Sequence, residues 1–93
     1  MQSLKNHQGK QPRSVVEVEE WLCQLLTETL KIPRSTIDTH ASFNAYGLDS
    51  SALVGFTEAL GGWLGEDLDP ALLYDYPNIS SLARAVGTDN APS

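Results

Sequence analysis

The sequence predicts an all-α fold, a four-helix bundle with a long loop between its first and second helices and a short third helix. Three observations carry that expectation. Apolar residues recur at helical spacing in three separate stretches, each opening on a residue able to cap a helix. No stretch alternates in the manner of a half-buried strand. Prolines at positions 33, 70 and 77 fall where helices must start or stop. With 93 residues the chain supports one small domain with a compact core and no large enclosed active site.

Taken in order, residues 1–13 are polar, carry Lys5, Lys10 and Arg13, and lack an apolar period. They read as a flexible linker or cloning remnant, and residues 88–93 as a flexible tail, with the domain itself over residues 14–87. Ser14 opens the first helix, in which Val15, Val18, Leu22 and Leu25 form the apolar stripe and Trp21 stands beside it. Glu17, three residues after Ser14, completes a capping box. Pro33 ends this helix. Residues 32–49 form a long connection, which Ile37 and Phe43 are expected to pin to the core and Gly47 to turn sharply.

The second helix is predicted from about residue 50 to 64. On a helical wheel Leu53, Phe56, Leu60, Trp63 and Leu64 form its core face, and Ser51, Val54, Gly55, Glu58, Gly61 and Gly62 the opposite side. Three glycines there weaken the helix by about 1 kcal/mol each wherever they lie in its interior. Asp69-Pro70 predicts the start of a short third helix that Tyr76-Pro77 cuts off. Asn78 or Ser80 opens the last helix, with Ile79, Leu82, Ala83 and Val86 inward and Gly87 at its end.

Composition excludes several functions. Residues 14–87 hold eleven acidic side chains against three basic ones, a surface suited to a basic protein partner and unsuited to nucleic-acid phosphates. No apolar run approaches the length of a membrane span or signal segment. The single cysteine, Cys23, cannot form an intramolecular disulfide; it reads as a buried apolar residue of a cytoplasmic protein. Glu66, Asp67 and Asp69 lack the spacing of a calcium loop and read as a solvated acidic turn.

Ser50 stands at the predicted start of the second helix, directly after Asp49. Two readings of it follow from the residues alone. It is either a helix cap or an acceptor of a phosphoryl group, for which a helix N-terminus supplies free N–H groups and a positive dipole end. A serine hydrolase is excluded, because the only histidines, His7 and His40, lie in the tail and the loop, and Gly-Leu-Asp-Ser-Ser is no nucleophile elbow.

The run Gly47-Leu48-Asp49-Ser50 resembles the motif of acyl carrier domains, and more of the chain matches that family. Ile37-Asp38 and Phe43 precede the motif at similar spacing, and Leu73-Tyr74-Asp75-Tyr76-Pro77-Asn78-Ile79 follows it in the manner of carriers from modular polyketide synthases. The resemblance covers about residues 15–86. It implies a four-helix bundle of the acyl-carrier type and a non-catalytic role. It also implies a 4'-phosphopantetheine arm, from coenzyme A, on Ser50, with Asp49 part of the motif, and acyl or polyketide intermediates carried as thioesters. A phosphopantetheinyl transferase and acyl-loading, ketosynthase and other synthase domains are the implied partners, with neither nucleic acid nor membrane among them. Peptidyl carriers are the near alternative, although they more often have Gly-Gly-x-Ser; a helical interaction module without a prosthetic group is the remote one.

Two departures from the family pattern stand out. Ser51 occupies a position usually held by a large aliphatic residue, and Glu58 is the only charge on the outer face of the second helix. Ser51, Val54, Gly55, Glu58 and Gly62 are therefore the expected partner-binding residues, on a smooth face that admits close approach.

Overall fold

The computed structural model describes residues 13–88. The predicted tails at 1–12 and 89–93 lie outside the described residues. Helix α1 (Val15–Leu30) begins on the expected capping box: Glu17 N donates to Ser14 Oγ at 3.1 Å and Ser14 N donates to Glu17 Oε1 at 2.9 Å. Lys31, left-handed at φ 58°, closes it two residues before Pro33. Its buried residues are Val18, Leu22, Cys23 and Leu26, so the stripe is rotated slightly from the predicted one and Val15 and Leu25 are only partly covered. Burial raises the pKa of the Cys23 thiol, opposed in smaller measure by Arg34 and reinforced by the Glu20 and Glu19 carboxylates, and holds it protonated and unreactive at neutral pH.

The connection from α1 to α2 (Ser50–Leu64) contains two 3₁₀ turns, Arg34–Thr36 and Phe43–Tyr46, that the sequence reading did not resolve. Ile37 and Phe43 are buried as expected, and Phe43 packs edge-on against Phe56 of α2. Backbone pairing supplies a second anchor. Phe43 N donates to Pro77 O at 2.8 Å and Ser80 N to Thr39 O at 2.9 Å, fastening the loop to the segment that leads into α4 (Ile79–Val86). Asn78, rather than Ser80, caps α4, accepting from Ser81 N at 2.7 Å. Helix α3 (Leu72–Asp75) begins later than predicted, because Asp69 and Pro70 form a preceding turn in which Asp69 Oδ1 accepts from Ala71 N and Asp69 O from Leu72 N.

Four helices and no strand are present among the described residues, around a core drawn from all four helices and from Ile37, Phe43 and Leu48 of the loop. No helix among them is long and apolar enough to cross a membrane. Trp63, near the end of α2, stacks on Trp21 of α1 with ring centroids 4.8 Å apart and planes 9° from parallel. The Arg13 guanidinium lies 4.5 Å above the Trp63 ring, and its buried Nε finds no hydrogen-bond partner among the described residues; the ring face takes the place of a carboxylate. Composition placed Arg13 and Thr88 in the tails, yet Thr88 N donates to Arg13 O at 2.8 Å, so the two ends of the described chain meet beside α1.

The core face of α2 needs one correction. Leu53, Phe56, Leu60 and Leu64 are buried as predicted, but Thr57 and Gly61 are buried as well, and Trp63 only partly. Thr57 satisfies its hydroxyl by donating to Leu53 O at 2.8 Å. Gly61 is not on the open face: a Cβ there would sit 2.6 Å from Glu66 O, because the turn after α2 folds back over it. At Gly62 a Cβ would meet nothing within 4 Å. The two neighbours should therefore respond to alanine with opposite signs. Gly62→Ala is expected to stabilise by up to about 1 kcal/mol through helix propensity, and Gly61→Ala to destabilise by about 1–3 kcal/mol through backbone displacement. Urea unfolding of both variants measures this directly.

Candidate functional site

The site is built where the long loop delivers the chain into α2. The 3₁₀ turn Phe43–Tyr46 is capped by Ser42 and ends on Gly47, whose φ of 79° is the left-handed conformation that favours glycine. Leu48, 6 % exposed, then drops into the core and fixes the chain between the turn and the helix. Asp49 follows in extended conformation as the N-cap, its Oδ1 accepting from Ala52 N at 2.9 Å.

This geometry removes the capping reading of Ser50. The capping role belongs to Asp49, and Ser50 is the first residue of the helix proper. Its side chain is exposed, and its hydroxyl has no hydrogen bond to any described residue. The first turn of α2 contains no carboxylate beyond the capping Asp49. Behind Ser50 stands a helix of 15 residues, about 22 Å long at 1.5 Å per residue, with its positive end toward the hydroxyl. A free hydroxyl at such a helix end can take a phosphoryl group without breaking a cap, and the helix dipole favours the resulting anion.

Ser51, Val54, Gly55, Glu58 and Gly62 are all exposed and fall within about 100° of one another around α2. Val54 keeps 40 % of its surface accessible, one of few large apolar residues to do so, and a Cβ at Gly55 would meet open space. The structure thus brings the predicted face together, less Gly61. His40 is an exposed loop residue whose Nδ1 lies 3.9 Å from Asp38 Oδ1, so its neighbour is a carboxylate rather than a nucleophile. Among the described residues no group of three His, Cys, Asp or Glu is placed to hold a metal ion.

Sequence reasoning missed the part played by Tyr46. Its phenol oxygen accepts from Asp38 N at 2.7 Å and donates to Asp38 O at 2.8 Å, closing the loop eight residues back upon itself. A single aromatic between turn residues has no periodicity to reveal it; only its proximity to Gly47 gave a signal.

Comparison with known proteins agrees with this geometry. A family model described as a phosphopantetheine attachment site matches residues 20–86. The polyketide synthase PksL of Bacillus subtilis is 36% identical over 68 residues, which make up 73% of this chain and 2% of the synthase. The acyl carrier protein TtuC of Teredinibacter turnerae is 41% identical over 49 residues, covering 53% of this chain and 56% of TtuC. The chain therefore spans a small fraction of the synthases it matches and somewhat over half of that carrier. Among solved structures, an acyl carrier protein from Anabaena with a variant phosphopantetheinylation-site sequence superposes with a TM-score of 0.77 at 36% identity, over 83% of this chain and 88% of that one. A free-standing peptidyl carrier protein from Acinetobacter baumannii gives 0.72 at 29% identity, over 77% and 90%.

Proposed function

The chain belongs to the phosphopantetheine-attachment family, and from that premise we propose that Ser50 is the residue that carries the arm. It is a non-catalytic carrier domain related to those of polyketide synthases, and its prosthetic group is a covalently attached 4'-phosphopantetheine. The observation that supports Ser50 is the division of labour at the start of α2. Asp49 holds the cap, which leaves the Ser50 hydroxyl exposed and unbonded.

The residues present fit the group. Ser50 Oγ is the acceptor, the unpaired N–H groups of the first turn favour a phosphodiester, and the Asp49 carboxylate is engaged with Ala52 N rather than aimed at the acceptor. The arm supplies a terminal thiol on which the cargo is held as a thioester. The rest of residues 14–87 serves as a rigid mount, and a tether of this kind raises the local concentration of cargo at each enzyme visited. A cytoplasmic phosphopantetheinyl transferase, with coenzyme A and its own magnesium ion, is the loading enzyme in this scheme.

Acyl or polyketide cargo is favoured over peptidyl cargo by Asp49 in the motif and by the polyketide synthases among the relatives. Acyl-loading, ketosynthase and other synthase domains are then the partners, meeting the face of Ser51, Val54, Gly55, Glu58 and Gly62 by shape and apolar contact. Gly55→Lys should slow acyl loading of the phosphopantetheinylated chain at unchanged helicity; loading at the wild-type rate would remove Gly55 from the interface. The attachment itself is tested by incubating the chain with coenzyme A and a promiscuous transferase. Intact mass should rise by one phosphopantetheine, located on Ser50 by peptide mapping; no gain, or a gain elsewhere, defeats the assignment.

A further inference from the structure

Ser50 lies four residues after Tyr46, the last residue of the loop whose side chain hydrogen-bonds back to it. One phenol engages both backbone groups of Asp38, accepting from its N–H at 2.7 Å and donating to its C=O at 2.8 Å. The same carbonyl also accepts from Ala41 N at 3.1 Å, and the Asp38 carboxylate accepts from His40 N at 2.9 Å, so Asp38 is the knot of the loop. Tyr46 ends the 3₁₀ turn, and the left-handed Gly47, the buried Leu48 and the capping Asp49 then lead to Ser50. Without the phenolic bonds, Gly47, a residue with wide conformational freedom, would follow a turn tied down on one side only.

We propose that Tyr46 is a positioning residue for the attachment serine, its hydroxyl holding the loop end from which Gly47–Asp49 present Ser50 to the loading enzyme. The proposal rests on the reading that Ser50 carries the arm. Asp38 is an exposed residue, so water can replace the phenol when it is removed, and folding loses little. Docking loses more. A presenting segment that is not already ordered must be ordered on binding, a cost that appears in KM rather than in kcat.

The test uses the whole chain, coenzyme A and a promiscuous transferase, with Tyr46→Phe beside the wild type at a temperature where both are folded by circular dichroism. The expected result is a rise of about tenfold in KM for the variant with kcat within about twofold. Val18→Ala, in the core of α1 one turn before Trp21, controls for general loss of stability. A wild-type KM in Tyr46→Phe, or an equal rise in Val18→Ala, overturns the positioning role. Amide exchange on the wild type is a second reading that needs no variant. The Asp38 N–H should be protected, and exchange as fast as that of a free loop amide also overturns it. Failure of Ser50 to load in the wild type is a separate result, visible before any variant is made, and it ends the attachment reading and this role together.

Discussion

Ser50→Ala is expected to abolish phosphopantetheine loading completely, whereas Ser51→Ala should load at close to the wild-type rate. Both serines are exposed and adjacent, so a mass gain on the wild type does not by itself distinguish them. Structure makes the substitution at Ser50 clean. Asp49 provides the cap and accepts from Ala52 N, so removing the Ser50 hydroxyl leaves the helix start intact. Alanine is also the best helix former, and the variant should unfold within about 0.5 kcal/mol of the wild type. A complete loss of mass gain at unchanged stability is then a loss of chemistry. The reverse pattern would move the arm to Ser51 and turn the acceptor by about 100° toward the Val54 face. Asp49→Ala makes the opposite comparison, costing about 1 kcal/mol of stability through the lost cap while leaving the acceptor hydroxyl in place.

How much of this was legible in the sequence depended on whether the signal was local. The capping box of α1, the opening of α4 at Asn78 or Ser80, the stop before Pro33 and the short α3 all follow from chemistry within four residues, and the structure reproduces them with small shifts of boundary and with Asn78 as the α4 cap. The pinning of the loop by Ile37 and Phe43 was legible because both are apolar among polar neighbours. Gly61 was not. Its wheel position matches that of an exposed face, and only the return of Glu66 across it, a tertiary event, makes it a core position. The stack of Trp21 on Trp63 and the Arg13 guanidinium above it likewise join residues whose proximity no local pattern encodes. Ser50 is the instructive case. Asp and Ser are both good caps, so an Asp-Ser pair leaves the cap undecided until the backbone is seen. Asp49 is extended at φ −90° and ψ −178°, and Ser50 is helical. That one step in register separates an ordinary cap from a free hydroxyl.

Leu60→Ala should produce the largest loss of stability of any single change considered for α2. Leu60 is fully buried, in the core with Leu53, Phe56 and Leu64 of its own helix and with residues of α1 and α4. Truncation to alanine at such a site costs about 2–5 kcal/mol, lost transfer energy plus an unfilled cavity. A domain of this size has roughly 4–11 kcal/mol in total, at 0.05–0.15 kcal/mol per residue. The melting temperature should fall by about 8–40 °C, since each kcal/mol moves a domain of this size by about 4–8 °C. The helix has little reserve of its own, because Gly55 and Gly62 occupy solvent-facing positions where alanine would fit and contribute nothing to hold the fold. Loading at Ser50 should then follow the folded fraction, near the wild-type rate in the cold and lost on warming, in contrast to Ser50→Ala, which fails at every temperature. Adding Gly62→Ala to Leu60→Ala should return up to about 1 kcal/mol, the two side chains lying on opposite faces of α2 with no shared partner. Recovery of both melting temperature and loading in the double variant would show that α2 is the mount on which presentation of Ser50 depends; recovery of stability without recovery of loading would instead point to the face on which Gly62 lies.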